Sequence, residues 1–281
     1  MQLSVVIITF NEEANLARTL ESVKPLVANG NGEIIVVDSG STDCTVEIAK
    51  SFDAKVFVEE WKGYAAQKNS AIDKAAGDWL LSLDADEELD SELITELTGR
   101  SDDTVLPGGD SHEWCLTMRQ AGQGQEFLKG RTIGFFVRRK NYFLGRWIKH
   151  GGFWPDPKLR LFLRGNGRFE DRAVHEDVRV DGPTKLIPHG ALAHHSYPTL
   201  SDCIEHMNRY SSLGAQIVAE KGKVHFSLMN MVLRPLATFV YNYFFRLGFL
   251  DGREGLLLHL YHAVYVSWKY AKAWELSRKQ S

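Results

Sequence analysis

Over residues 1–90 the chain alternates between two hydrophobic periods. Leu3 to Thr9 (LSVVIIT), Glu33 to Asp38 (EIIVVD), Lys55 to Val58 (KVFV) and Asp78 to Leu83 (DWLLSL) are short apolar runs of strand length. Between them the apolar positions recur at helical spacing: Leu16, Leu20 and Val23 within 12–23, Val46, Ile48 and Ala49 within 42–52, and the stretch 64–76. Near-continuous apolar strands separated by helices predict a βαβαβαβ unit whose parallel sheet is covered on both faces.

Beyond residue 100 the pattern loosens. Ser101 to Asp110 reads as a loop, and strand-like runs are expected at Trp114–Met118, Ile133–Arg139, Leu159–Leu163 and Lys185–Pro188. The stretch Gly145 to Asp156 (GRWIKHGGFWPD) is too rich in glycine and aromatics for a plain core element. After residue 200 the chain reads as aromatic-rich helix punctuated by single basic residues, and no internal repeat is visible.

The length of 281 residues suits about two units or one large domain with an appendage, enough to bury a core without disulfides. Cys44, Cys115 and Cys203 are scattered and in no C-x-x-C spacing, which argues against a disulfide scaffold and a structural zinc site. Met1-Gln2-Leu3-Ser4 runs directly into a strand with no basic segment, so no signal peptide is expected and the cytoplasm is the default compartment. The net charge of −3 hides an asymmetry. Residues 1–128 carry 9 Lys+Arg against 24 Asp+Glu, whereas residues 129–172 carry 12 against 3. A basic middle after an acidic front points to an anionic ligand or surface near the middle.

In an open parallel sheet, ligands bind outside the carboxyl ends of the strands. Those ends read Thr9-Phe-Asn-Glu-Glu13, Asp38-Ser-Gly-Ser-Thr-Asp43 and Asp84-Ala-Asp-Glu-Glu88, so carboxylates should converge on one rim. Two carboxylates at i, i+2 leaving a strand, Asp84 and Asp86, suit a hard divalent cation that also bridges to substrate phosphates. Neither G-x-G-x-x-G after the first strand nor a P-loop is present, which disfavours dinucleotide oxidoreductases and P-loop enzymes.

The segments VVIITFNEEANL, IIVVDSGSTDCT and LSLDADEEL resemble the successive signatures of family 2 glycosyltransferases of the GT-A fold. GYAAQKNSAID, NYFLGRWIKHGGFWPDPKLRLF, AVHEDV and HHSYPTL are similar to the subgroup that adds β-linked glucose to lipopolysaccharide inner-core heptose; only Gly108–Phe127 matches nothing in it. The resemblance implies an α/β, Rossmann-like, mostly parallel sheet with flanking helices, followed by a C-terminal helical extension. It implies a catalytic domain over 1–200, with a nucleotide-sugar half at 1–100 and an acceptor half at 101–200, followed by the extension at 201–281. It also implies a metal-dependent inverting transfer of a hexose, with glucose first, from a UDP-sugar to a lipid-linked glycan such as the lipopolysaccharide core. Carried onto this chain, Thr9, Asn11 and Glu13 line the uridine pocket and Asp38 accepts from the uracil ring. Asp84 approaches ribose or metal, and Asp86 holds Mg²⁺ or Mn²⁺. Lys68 meets the base or diphosphate, and His194 or His195 supplies a late metal or diphosphate contact. The general base that inversion requires falls on Glu176, with Asp177 as the rival.

Arg138, Arg146 and His150 lie in or beside the acceptor-side motif with Trp147 and Trp154, where guanidinium groups suit phosphates and acidic sugars and indoles suit sugar faces. Nucleic acid is a poorer partner for a net acidic chain without a recognisable module. The uncharged stretches after residue 223 are 10, 11 and 14 residues long, too short for a span, so the C-terminal extension is expected to be membrane-associating, as helix lying in the inner leaflet's interface, with packing on the catalytic domain or a second subunit as the alternative. A nucleotidyltransferase and a sugar-nucleotide-binding assembly protein without turnover are the competing functions. The acidic first loop disfavours the former, which wants glycine and lysine there.

Overall fold

The computed structural model of the chain describes residues 2–98, 132–170, 177–222 and 224–279. They form two compact units, one of Met1–Arg139 with Pro157–His194, the other of Lys140–Asp156 with His195–Ser281. The expected strand at Trp114–Met118 and the segment 108–127 lie outside the described residues.

The first unit opens as the apolar periods predict: β1 (Leu3–Thr9), α1 (Leu16–Val27), β2 (Gly32–Asp38), α2 (Thr45–Ser51), β3 (Lys55–Val58), α3 (Tyr64–Asp73) and β4 (Trp79–Asp84). β5 (Glu87–Leu89) and α4 (Ser91–Thr98) follow, then β6 (Gly134–Phe143), β7 (Arg146–Trp147), β8 (Lys158–Leu163), β9 (Gly167–Phe169), β10 (Val178–Val180) and β11 (Thr184–Tyr197). The main sheet runs β3-β2-β1-β4-β8-β6-β11-β5. Its first four strands are parallel, and β8 pairs antiparallel with both β4 and β6. This is the α/β architecture expected, with an antiparallel half added beyond β4.

Side chains alternate across the parallel strands and bury both faces. Val5, Ile7, Val36 and Leu81 pack with Leu16, Leu20 and Val23 of α1, while Val6, Ile35, Val37 and Leu80 pack with Ala65, Ala71 and Ile72 of α3. The first helix begins at Leu16 rather than at Glu12, where its periodicity began. Asn11 has a left-handed backbone (φ 54°). The Glu12 and Glu13 amides donate to Thr45 Oγ1 at 2.7 Å and Asp43 Oδ2 at 3.1 Å, so the loop after β2 captures donors that a longer helix would leave unpaired.

The second unit contains the β6–β7 hairpin tip, closed by Leu144 and Gly145, both at positive φ (50° and 78°), as a two-residue turn demands. Its helices are α5 (Leu200–Glu220), α6 (Arg234–Val240, flanked by π turns at Met229–Leu233 and Tyr241–Phe245) and α7 (Gly252–Lys279). Thr199 and Asp202 form a reciprocal capping box that fixes the start of α5. Phe143, Ile148, Cys203, Met207 and Leu258 make this unit's core. Among the described residues no helix is long and apolar enough to cross a membrane.

Candidate active site

Strand register places the first group of candidate residues. In the parallel ladders Thr9 lies opposite Asp38 and Ile8 opposite Asp84, so the carboxyl ends of β2, β1 and β4 finish level. Asp38 is fully buried there. Its Oδ1 accepts from the Gly40 and Ser41 amides at 2.9 and 2.8 Å, and its Oδ2 from Thr9 Oγ1 at 2.8 Å and Ser41 Oγ at 2.5 Å. Four donors use the four lone-pair sites of a carboxylate. Ser41 Oγ in turn accepts from the Asn11 amide at 2.8 Å, and Asn11 Oδ1 accepts from the Thr42 amide at 2.9 Å. Glu13 Oε2 accepts from the Cys44 amide at 3.0 Å. Thr9, Asn11, Glu13 and Asp38 therefore belong to one hydrogen-bonded rim between the loops after β1 and β2.

The second group surrounds the end of β4. Asp84 Oδ1 pairs with Lys68 Nζ at 2.7 Å and Oδ2 with Arg160 Nη2 at 2.6 Å. Arg160 also reaches Glu87 Oε1 at 2.5 Å, and Glu87 Oε2 accepts from the Asp84 amide at 3.1 Å. Arg139 lies 3.4 Å from Glu87 Oε1. Burial opposes the charge on Asp84, yet Arg160, Lys68 and His194 outweigh it and hold the carboxyl well below its ordinary range. Asp86 behaves alike: burial raises it, but His194, with Nε2 3.3 Å from Asp86 Oδ2, brings it below the ordinary value. Glu12 is pushed the other way, raised by its burial and by the nearby charges of Asp86, Asp43 and Asp84, although Asn15 donates to it. That mutual repulsion marks an acidic rim near the β4 end. Lys68 also stands over the Phe169 ring, 5.1 Å from its centroid.

His194 and His195 are successive residues of one strand and point to opposite faces. His194 meets Asp86, whereas His195 stacks on Tyr142 with ring centroids 4.9 Å apart. Among the described residues no three or more His, Cys, Asp or Glu side chains stand close enough to hold an ion on their own. One carboxylate and one imidazole, Asp86 and His194, nevertheless fit a Mg²⁺ or Mn²⁺ ion that takes its other ligands from water and substrate phosphate. Asp84, with both oxygens on cationic side chains, is less available to an ion.

Of the two candidate bases, Glu176 lies outside the described residues and Asp177 is exposed in the first unit. Arg138, also in that unit, donates to the carbonyls of Ile187 and Pro188 at 2.9 and 2.7 Å. The other acceptor-side candidates lie in the second unit. Trp147 and Trp154 meet edge to face, and the ammonium groups of Lys140 and Lys149 stand 5.1 and 4.5 Å from the Trp147 ring. Arg146 pairs with Glu254 at 3.6 Å, and His150 Nδ1 lies 3.0 Å from Asp251 Oδ1.

Arg160, Glu87 and Glu12 are the site residues that sequence reasoning missed. Arg160 carried a signal: a lone charge in the apolar run Leu159–Leu163 must be buried with a partner.

Comparisons with known proteins place this geometry. The family model described as glycosyl transferase family 2 matches residues 4–160. The lipopolysaccharide core biosynthesis glycosyltransferase LpsC of Rhizobium meliloti is 30% identical over 284 residues, covering 98% of this chain and 93% of that protein. An uncharacterized glycosyltransferase of Rickettsia felis is 50% identical over 266 residues, covering 91% and 83%. Among solved structures, a mannosyltransferase from Pyrobaculum calidifontis in complex with GDP-Man and Mn²⁺ is similar at a TM-score of 0.48 and 15% identity, over 96% of this chain and 86% of that one.

Proposed function

The chain belongs to glycosyl transferase family 2, and on that premise we propose that it transfers a hexose, glucose being the first candidate, from a UDP-sugar to a lipopolysaccharide core or related lipid-linked glycan with inversion at the anomeric carbon. The level ends of β2, β1 and β4, which bring Thr9, Asp38 and Asp84 to one edge, carry the reading. The near full-length similarity to a lipopolysaccharide core glycosyltransferase supports the acceptor class.

In this reading Asp38 shapes the donor pocket by holding the loop 39–43 against Asn11, and Asn11 and Glu13 border the nucleoside. Lys68 and Arg160 keep Asp84 ionised and oriented at the pocket edge. Asp86 and His194 are the chain's ligands for a divalent ion, which when bound would screen the charge that develops on the departing diphosphate. Glu176, or Asp177 in its place, takes the proton from the acceptor hydroxyl. Trp147 and Trp154 offer faces to acceptor sugars, and Arg146 and His150 offer charge to its anionic groups. The enzyme works at the cytoplasmic face of the membrane that carries the acceptor.

The test is transfer itself. Purified protein is incubated with UDP-glucose, UDP-N-acetylglucosamine or GDP-mannose plus a delipidated core oligosaccharide and Mn²⁺ or Mg²⁺, and products are read by mass. A gain of one hexose with release of UDP is expected. Donor binding without any mass gain across the panel would leave a binding protein instead of an enzyme.

A further inference from the structure

Of the large apolar side chains exposed among the described residues, fourteen of twenty fall between positions 226 and 260. Phe244, Phe245, Leu247, Phe249 and Leu250 are 53%, 75%, 46%, 43% and 50% exposed within one tight bend. Leu247 reaches outward there from a left-handed backbone (φ 59°) that a leucine rarely adopts. Just before it, Met229, Val232, Leu233 and Leu236 recur at i, i+3, i+4 and i+7 and are all exposed, so they share one outer face. The opposite side of the same segment is anchored: Pro235 and Asn242 are buried, Asn242 Nδ2 lies 3.5 Å from His262 Nδ1, and Ser267 Oγ donates to the Met231 carbonyl at 2.9 Å. The apolar face is therefore the one left over after packing on α7. Side chains of this size, half exposed, sum to on the order of 1,000 Å², well beyond an ordinary surface patch.

Charge selects the occupant. Residues 224–250 hold Arg234 and Arg246 and no acidic residue, and Arg253 follows; all three arginines are exposed. A second copy seated on this face by a two-fold axis would set these arginines against each other. An anionic lipid surface complements them, and its acyl region takes the phenylalanines and leucines.

We propose that Met229–Leu250 is a lipid-facing wedge that seats the protein on an anionic bilayer, and that the wedge carries the loop Lys149–Gly151 to headgroup level. The second half follows from direct bonds. Asp251, at the wedge's end, accepts from the Lys149 and His150 amides at 3.2 and 2.8 Å, and the Arg246 carbonyl accepts from the Gly151 amide at 2.9 Å. Gly151 (φ 66°) has no room for a side chain, since a Cβ would stand 2.0 Å from His259 Cε1. Loop and wedge thus move together. This half rests on the reading of that loop as acceptor-facing, given above.

Flotation of the full-length chain with vesicles tests the wedge without any turnover. Binding to phosphatidylcholine/phosphatidylglycerol vesicles is expected to exceed binding to pure phosphatidylcholine by roughly tenfold or more and to weaken with salt. Phe245→Asp and Leu250→Asp, at exposed positions, should each lower it about tenfold while leaving the melting temperature and UDP binding unchanged. The same variants should lose turnover on core acceptor embedded in vesicles and keep it on delipidated acceptor. Failure of the wild-type chain to float with anionic vesicles overturns the wedge. So does a wild-type dimer in light scattering that Phe245→Asp dissociates. Vesicle binding with no transfer to any acceptor upholds the wedge and sinks only the functional reading.

Discussion

Arg160 offers the sharpest test of how the site is built. Arg160 is 5% exposed, and its guanidinium joins Asp84 at 2.6 Å to Glu87 at 2.5 Å. Arg160→Met keeps an unbranched apolar stem and removes the guanidinium and its charge. Asp84 retains Lys68 at 2.7 Å, but Glu87, with no exposed surface, keeps the Asp84 amide at 3.1 Å and, of cationic partners, only the longer 3.4 Å contact from Arg139. A buried carboxylate deprived of its partner costs about 3–5 kcal/mol. Arg160→Lys can reach one of the two carboxylates but cannot bridge both, so it should lose roughly half of that. Glu87→Gln removes the stranded charge, so the Arg160→Met/Glu87→Gln double variant should be more stable than Arg160→Met alone, with a coupling of about 2 kcal/mol or more. Urea unfolding at neutral pH of the wild type, Arg160→Met, Glu87→Gln and the double variant closes the cycle. Additivity within ~0.5 kcal/mol, or a single-variant loss below ~1 kcal/mol, would refute the network as the support of the β4 end.

Three further outcomes are expected. Glu176→Gln should reduce turnover by ~10² or more with donor affinity retained, whereas full activity in it and collapse in Asp177→Asn would move the base to Asp177. Asp86→Asn should abolish most of the gain in UDP affinity that Mn²⁺ confers, roughly tenfold or more by calorimetry with and without the ion; an unchanged gain excludes Asp86 as a ligand. His259 is 1% exposed with neither ring nitrogen hydrogen-bonded, and burial, with a smaller push from His262, lowers its pKa from 6.5 to about 4 against the opposing pull of Asp251. A folded pKa below the unfolded one means stability that is present above pH 6.5 and lost as the pH falls toward 4, on the order of 3 kcal/mol. His259→Phe should flatten that slope in urea midpoints taken between pH 7 and 4, and an equal slope in both proteins would count against it.

The parallel half of the sheet was legible because its inner strands β2, β1 and β4 are buried on both faces and each writes itself as a nearly unbroken apolar run, as in Val5–Ile8 and Ile34–Val37. The carboxylates at the strand ends followed from that topology. What sequence could not supply was their pairing. Nothing in the spacing of Arg160, Asp84 and Glu87, 73 and 76 residues apart, says that one guanidinium serves both. The loop after β2 was legible as acidic, yet only the hydrogen bonds reveal that Asp38 spends its lone pairs on Thr9, Gly40 and Ser41. The start of α1 shifted for the same reason, since the Glu12 and Glu13 amides are claimed by residues 33 and 30 positions away.

The second unit is assembled from two separate stretches, Lys140–Asp156 and His195–Ser281, which Pro157–His194 of the first unit separates along the chain. No single cut isolates it. A chimera that imports a foreign tail from residue 195 onward would place a new partner opposite Lys149 and His150 while retaining the old hairpin, and Asp251 would be exchanged without the amides it holds. Recombination between relatives can therefore alter this half of the enzyme as a whole only by exchanging both stretches at once, a demand that ties the inheritance of the short insertion to that of the distant tail.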